Sequence, residues 1–581
     1  MPQPERASLP VLSSIPQGCS LQKSALGQRF TCVREGEQIH VLADRCPHQG
    51  YPLSQGVAKD GVLTCNWHNW KFAVASGACE FGGEGVRRYP SHVADDGHVI
   101  VDLRVDVAKE GARLRGSMRR ALVDGDADAF VRDGLRLGAL DPSEPGDPGL
   151  HSGLTGLNPG FGVLAQLGAQ RAPYGFDHPL ATLSDISDWV ERGWLESAPA
   201  LSVAATLFAE GHANLDDRPP EAETETKTEA TDGWASLGED LRAQRRGPAE
   251  AKARAAGEQG SLDALYRGGL LPYIGDHLLA YGHGAIYATK ALALAERFPE
   301  HRGPLMAALA VQLSWATRET SLPPWGRTRA GYEAADALSP GDAPLGEARP
   351  AYERAVLKDE ASAVTATIEA LARGVDPAAL IAASAHAAAV RITRFDPSWE
   401  TRLDAEVSIL GLTHTLTFAE AALSLLRWAS PKVAARLAVQ AAAFVAKIHR
   451  ADRPTPEHES RQQPLVQPPL QQPLVWALAR REGADARLAR ALSPSQRLDA
   501  YAQLAPFAAY EAFVRPIFTA HAIKLTEAAH RLERSDPTPD HAYLEAVLTL
   551  LLPRRPERSP VRAANLAARV LDEGKPPKSL Y

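Results

Sequence analysis

Two rhythms of apolar and polar positions divide this chain. Up to about residue 105, apolar residues alternate with polar ones over short runs, as in Ile39-His40-Val41-Leu42 and Val62-Leu63-Thr64, with Gly-rich turns between them. A period of two over a few residues puts one face of a strand on a core. From Val107 onward Ala, Leu, Arg and Glu dominate, and apolar residues recur every three or four positions. That spacing lines one side of a helix and predicts helices over 110–139, 286–298, 351–373, 377–394, 404–428, 432–449, 476–493 and 509–533. The fold expected is a small all-β domain over 1–105 followed by a large all-α helical-bundle domain over 106–581.

Four breaker-rich tracts interrupt the helical part, and all are expected as loop insertions. They are a Gly/Pro stretch at 141–176, an acidic tract at 216–233, a Pro/Gly tract at 322–350 and a Pro/Gln tract at 452–473. The acidic tract has the composition of a disordered insertion. The loops at 141–176 and 322–350 are long enough to serve as covers over a pocket.

At 581 residues the chain exceeds one ordinary core, which agrees with two domains. The net charge of −7 comes with no basic cluster, which argues against nucleic acid as a partner. All five cysteines (Cys19, Cys32, Cys46, Cys65 and Cys79) fall in the first eighty residues. That distribution suits a reducing compartment better than a disulfide framework. The N-terminus lacks a basic, then apolar, leader, and no run approaches a membrane span, so a cytoplasmic location away from membranes is expected.

The chemistry concentrates first at Cys46-Pro47-His48 and Cys65-Asn66-Trp67-His68, a C-x-H and a C-x-x-H separated by sixteen residues. Two thiolates and two imidazoles suit a [2Fe–2S] cluster with Cys on one iron and His on the other. The same four groups also suit tetrahedral zinc. Zinc fingers, however, keep the two Cys together and the two His together, whereas each loop here mixes them. The span from Val11 to Leu103, with its CPHQG and CNWHNWKF runs, resembles the Rieske ferredoxin domain. That resemblance implies Cys46 and Cys65 on the buried iron and His48 and His68 on the outer one. High-potential relatives carry an extra cysteine in each loop, which this chain lacks, so a lower-potential cluster of the oxygenase or ferredoxin kind is implied. Trp67 and Trp70 are candidates for the electron donor's docking surface, or for packing over the cluster.

Three helical segments share a second pattern. Gly282-His283-Gly284, Thr413-His414-Thr415 and Ala520-His521-Ala522 each set one histidine ahead of an Ala-rich face, as an internal duplication would. Ala-rich faces let helices approach closely, which would bring these rings into one bundle. His277, His283, His386, His414 and His521 are the candidate ligands of a second metal. A single histidine on an apolar helical face is more often a hydrogen-bonded core residue, and it is the recurrence in three segments that favours a ligand set. His178, His212 and His449 fall near loops or helix ends and read as surface or capping residues. The D-x-x-H-x-x-x-x-H iron motif of Rieske oxygenases is not found. The run His521-Ala-Ile-Lys524-Leu-Thr resembles the H-x-x-K-x-T element of questin-oxidase-like helical proteins, over a few short stretches of the last 300 residues. That resemblance implies mononuclear iron and catalytic roles for His414, His521 and Lys524; a lysine buried near a metal can lose its charge or be carboxylated to an anionic ligand.

These readings predict an oxidoreductase. Its cluster would take electrons from a reductase or ferredoxin and pass them to a His-rich metal site for O2-dependent oxidation of a hydrophobic or aromatic small molecule, with homo-oligomerisation bringing the centres together. A different class fits the same residues: an electron-transfer or redox-sensing protein whose helical domain is a binding scaffold without a second metal. Iron content separates the two.

Overall fold

Short strands need turns that match their twist, and the first part of the chain supplies them. In the computed structural model, which describes residues 6–553 apart from 19, 27, 105, 141–155, 172–173, 212–233, 320–324, 402–407, 454–485, 512, 514 and 537–539, this part forms three antiparallel sheets. One contains β1 (Arg6–Val11), β11 (His98–Asp102) and β10 (Ser91–Val93), in that order. The second runs β2 (Ser20–Ala25), β3 (Gln28–Glu35), β4 (Gln38–Ala43) and β9 (Arg88–Tyr89). The third is a meander of β5 (Val57–Lys59), β6 (Val62–Thr64), β7 (Lys71–Ala73) and β8 (Cys79–Phe81). Asp60 and Gly61, at φ 52° and 78°, make the two-residue turn between β5 and β6, a geometry that suits Asp-Gly. Leu9, Phe30, Val41, Val99 and Val101 fill one core, while Leu42, Leu53, Leu63, Phe72 and Val74 fill a second beneath the two Cys/His loops.

The chain divides into two compact units, Met1–Met118 and Arg119–Tyr581. The division falls inside the helix Val107–Val123, past the composition switch at 105. Four helices of the second unit frame its centre: α1 (His178–Glu191), α2 (Leu279–Arg297), α3 (Ile409–Leu425) and α4 (Pro516–Ser535). α1 packs on α2 and α4, and α3 packs on the same two, so the four close into a ring. Small inward residues such as Ala285, Ala288, Ala419, Ala422, Ala522 and Ala529, all buried, allow this closeness. Further helices pack outside, among them Ser197–Gly211 on α1 and α4 and Arg302–Trp315 on α2.

Several expected elements differ in detail. The helix expected over 110–139 breaks at Gly125, where φ is +71°, and Asp126 caps a new one, Ala127–Gly138. The one expected over 351–373 breaks at Asp359, which leaves helical geometry and caps Glu360–Ala372 with its carboxylate. The tract 141–176, expected as a loop, contains the helix Gly160–Arg171; its glycines accommodate neighbours such as Leu201 and Phe208. The tract 322–350, also expected as a loop, contains Gly326–Asp336. The insertions expected at 216–233 and 452–473, and most of the helix at 476–493, lie outside the described residues. Against the expectation that no run reaches membrane-spanning length, Ile409–Trp428 is long and apolar enough, but 72% of its apolar window is buried inside the helical unit.

Candidate metal centres

The two Cys/His loops are built to one plan. The amides of Cys46 and Cys65 donate to the carbonyls of Tyr51 and Trp70, both at 2.8 Å. The Cys46 carbonyl accepts from the Gly50 amide at 2.8 Å, and that of Cys65 from the Asn69 amide at 3.0 Å. Gly50 and Asn69 both hold positive φ, 77° and 61°, which suits glycine and asparagine in such turns. Buried Asp44 steadies the first loop, its Oδ1 accepting from Thr31 Oγ1 and the Ser54 amide, both at 2.8 Å.

The outcome is a paired donor set. Cys46 and Cys65 are buried side by side, while His48 and His68 face each other with Nδ1 atoms 3.1 Å apart. Tetrahedral ligands on bonds of about 2.1 Å lie about 3.4 Å apart, so both rings can serve one metal ion. Burial pushes the Cys46 thiol up to about 11; the His48 amide aimed at its sulfur opposes the rise, and neighbouring Cys65 adds to it. A bound metal removes both thiol protons. The soft sulfur pair inside and the imidazole pair outside fit a [2Fe–2S] cluster. Trp70 stacks on His48 at 4.8 Å between centroids, and Gly82 leaves room for its indole. Trp67 lies over His68 and is 54% exposed.

The second candidate centre lies inside the ring of helices. His283, His414 and His521 come from α2, α3 and α4. His414 Nδ1–H donates to the Leu410 carbonyl and His521 Nδ1–H to the Ile517 carbonyl, each at 2.7 Å, one turn back on its own helix. His283 Nδ1–H donates likewise to the Ala280 carbonyl. A carbonyl only accepts, so these bonds fix the proton on Nδ1 and leave a bare lone pair on each Nε2. His414 Nε2 is 3.1 Å from His283 Nε2 and 3.3 Å from His521 Nε2. His178, at the start of α1, joins them: a ligand atom each of His178, His414 and His521 lie within 4.8 Å of one another. The Tyr287 hydroxyl and His178 Nδ1 share a 2.7 Å hydrogen bond.

Local sequence explains the placement of His283. Ala280, Tyr281 and Gly282 take left-handed conformations at φ 42°, 64° and 81° just ahead of it. Two non-glycine residues there are strained, and a side chain at Gly282 would press into Phe418.

Burial disfavours a charged ring at all four histidines, and the Lys524 ammonium pushes the same way. The His283 pKa falls to about 3, while those of His178, His414 and His521 fall well below the usual value. All four rings are therefore neutral, as ligands must be. Lys524 is buried too, and its pKa is pushed down to about 7, burial outweighing the attraction of Asp185. Further along the bundle Lys290 Nζ donates to Asp185 Oδ1 at 2.6 Å, and Asp185 Oδ2 has no hydrogen-bond partner among the described residues. Glu527, held by Trp189 at 2.9 Å and Arg192 at 2.7 Å, continues the charged layer.

Of the histidines singled out in the sequence, the structure brings His283, His414 and His521 together. His277 and His386 are not among the converging rings. His277 sits beside Tyr273 with Glu319 3.9 Å away. His386 lies between the carboxylates of Glu353 at 3.1 Å and Asp540 at 3.2 Å. His178, read from the sequence as a surface or capping residue, belongs to the converging group; the cap of α1 is its neighbour Asp177. The signal for it was absent from the aligned segments, because His178 enters from the first turn of its helix.

Comparisons with known proteins bear on the first unit. Residues 9–89 match the Rieske [2Fe-2S] domain family. The 4beta-methylsterol monooxygenase of Methylococcus capsulatus is 38% identical over 68 residues, 11% of this chain and 18% of that one. The oxygenase subunit of 3-chlorobenzoate-3,4-dioxygenase of Comamonas testosteroni is 36% identical over 63 residues, 11% of this chain and 14% of its own. This chain therefore spans less than a fifth of the length of either relative. Among solved structures, the ferredoxin of carbazole 1,9a-dioxygenase from Nocardioides aromaticivorans is 22% identical, covering 17% of this chain and all of its own, with a TM-score of 0.17. The paired loops, their donor set and the family match together identify residues 9–89 as a Rieske [2Fe–2S] domain.

Proposed function

We propose that the chain is an oxidoreductase that feeds electrons from its Rieske cluster to a mononuclear iron held by the histidines of α1 to α4. The reaction is O2-dependent oxidation of a hydrophobic or aromatic small molecule, and the electrons come from a reductase or ferredoxin. One observation carries the reading: neutral, buried imidazoles point bare lone pairs at each other across 3.1 and 3.3 Å. No proton is available to bridge them, since each Nδ1–H is already bound to a carbonyl. Such an arrangement is repulsive alone and becomes a ligand set around a divalent cation. Imidazole suits several transition metals, and a one-electron donor domain in the same chain favours the redox-active choice, iron.

Iron there would supply the redox chemistry toward O2. The chain's own residues do the rest. The carbonyls of Leu410 and Ile517 hold the rings of His414 and His521 in their ligating tautomers. Tyr287 orients His178. Lys524, with its pKa near neutrality, can hold or release a proton beside the rings. The ring of packed helices buries His414 and His521 away from bulk water.

The test is iron and acid-labile sulfide per chain on anaerobically purified protein, with EPR before and after dithionite. Three irons with two sulfides support a second centre; two with two in fully loaded protein return the helical unit to a binding scaffold.

A further inference from the structure

A cavity of about 440 Å³ opens beside His178, at the edge of the histidine cluster. The start of α1, the end of the helix Ser197–Gly211 and the first turn of α4 wall it in. It reaches the layer of the rings: His178 lines it, and so does Ile517, whose carbonyl orients His521. The volume falls in the range of small-molecule sites, roughly 300 to 1,000 Å³.

The cavity is pre-formed. Gly175, at φ +83°, is pressed so closely on the helix Arg302–Trp315 that no side chain fits there. The Phe176 amide donates to the Ala308 carbonyl at 2.9 Å, and the Asp177 carboxylate accepts from the Leu180 amide at 3.1 Å. The segment leading into His178 is thus pinned residue by residue. At the rim Tyr174, 71% exposed, meets exposed Trp315 edge-on at 6.3 Å, an aromatic entrance that water alone does not call for.

Charge then separates ligands. Leu207, Pro179 and Pro516 give the walls an apolar character. The charged side chains lining it are two carboxylates, Asp177 beside His178 and Glu210 on the outer side; no Lys or Arg lines it among the described residues, and Lys524 is not part of its wall. Asp177 cannot swing away without uncapping α1. An anion entering between the apolar walls meets a carboxylate on either side, whereas a hydroxyl or ammonium finds an acceptor in Glu210.

We propose that this cavity is the substrate pocket of the four-histidine centre and that it admits uncharged or cationic, mainly apolar ring compounds while excluding anions. Its catalytic meaning rests on the metal reading above; its preference for apolar rings does not.

Calorimetry on the full-length protein with 1-naphthol and with 1-naphthoate, which share a ring system and differ in charge, tests it. The expected result is that the naphthol binds roughly tenfold or more tightly than the naphthoate. Leu207→Trp, which fills the cavity, should abolish naphthol binding at unchanged metal content. Glu210→Lys, at an exposed position that folding tolerates, should narrow or reverse the preference. No binding of the naphthol, equal binding of the two, or indifference to both substitutions overturns the proposal. Naphthol binding that persists, and stays sensitive to Leu207→Trp, in protein lacking a third iron would keep the pocket and remove the metal centre.

Discussion

His414 and His521 face each other Nε2 to Nε2 across 3.3 Å, each with its remaining ring proton bonded to a carbonyl one turn back on its own helix. Removing either ring breaks the donor set without opening the outer shell of the unit. His414→Ala should lower iron from three to two per chain and leave acid-labile sulfide and the Rieske EPR signal unchanged. Retention of three irons would show that the third iron is not held by His414.

The two units predict a complementary result. Cys65→Ala removes a buried sulfur ligand from the second Cys/His loop, whose amide and carbonyl bonds remain. The cluster should be lost entirely, with both sulfides and the reduced EPR signal, while the histidine-held iron stays. Electron supply from a reductase should then fail, so O2 consumption should fall to background; normal consumption would show that the cluster does not feed the helical site.

The buried pair Lys290–Asp185 gives a stability prediction. Both residues are almost fully buried, and their 2.6 Å contact compensates two desolvated charges. Lys290→Met leaves Asp185 alone and should destabilise the helical unit by about 3–5 kcal/mol. The double variant Lys290→Met, Asp185→Leu should recover most of that loss, since the charge left unpaired is then gone too. Urea unfolding followed by circular dichroism reads both; additive losses would rule out this coupling.

His386 sets a pH dependence. Burial alone would lower its pKa, but the carboxylates of Asp540 and Glu353 reverse this and raise it from 6.5 to about 9. A group whose folded pKa is raised stabilises the fold fully below its unfolded pKa and loses that contribution as pH rises through the folded one. The helical unit should therefore lose stability between pH 6.5 and about 9, by on the order of 1–2 kcal/mol once solvent screening at Asp540 is allowed for. His386→Gln should flatten that part of the profile of melting temperature against pH. An unchanged slope would mean another group is responsible.

The Rieske cluster was legible because its ligands fall in two short loops, each carrying one Cys and one His beside its own turn residues. Reading the helical histidines was harder, because helices far apart in sequence supply them. His283, His414 and His521 shared enough local pattern to be aligned, and the structure sets them face to face. His178 did not, because the helix it enters begins at that residue and Pro179 follows it, a context that also describes a cap. His277 and His386 lie in equally apolar sequence, and only tertiary packing gives them Glu319, Glu353 and Asp540 as neighbours. The helix Gly160–Arg171 escaped because its glycines, which suggest a loop, serve close packing instead.

The four converging rings are drawn from positions 178, 283, 414 and 521 of one chain. A metal ion held by them fastens four distant points together, as a set of disulfides does in a secreted protein, in a region that has no cysteine at all. Loading such an ion would then tie the helices that carry the rings into one unit, and they would be expected to melt together.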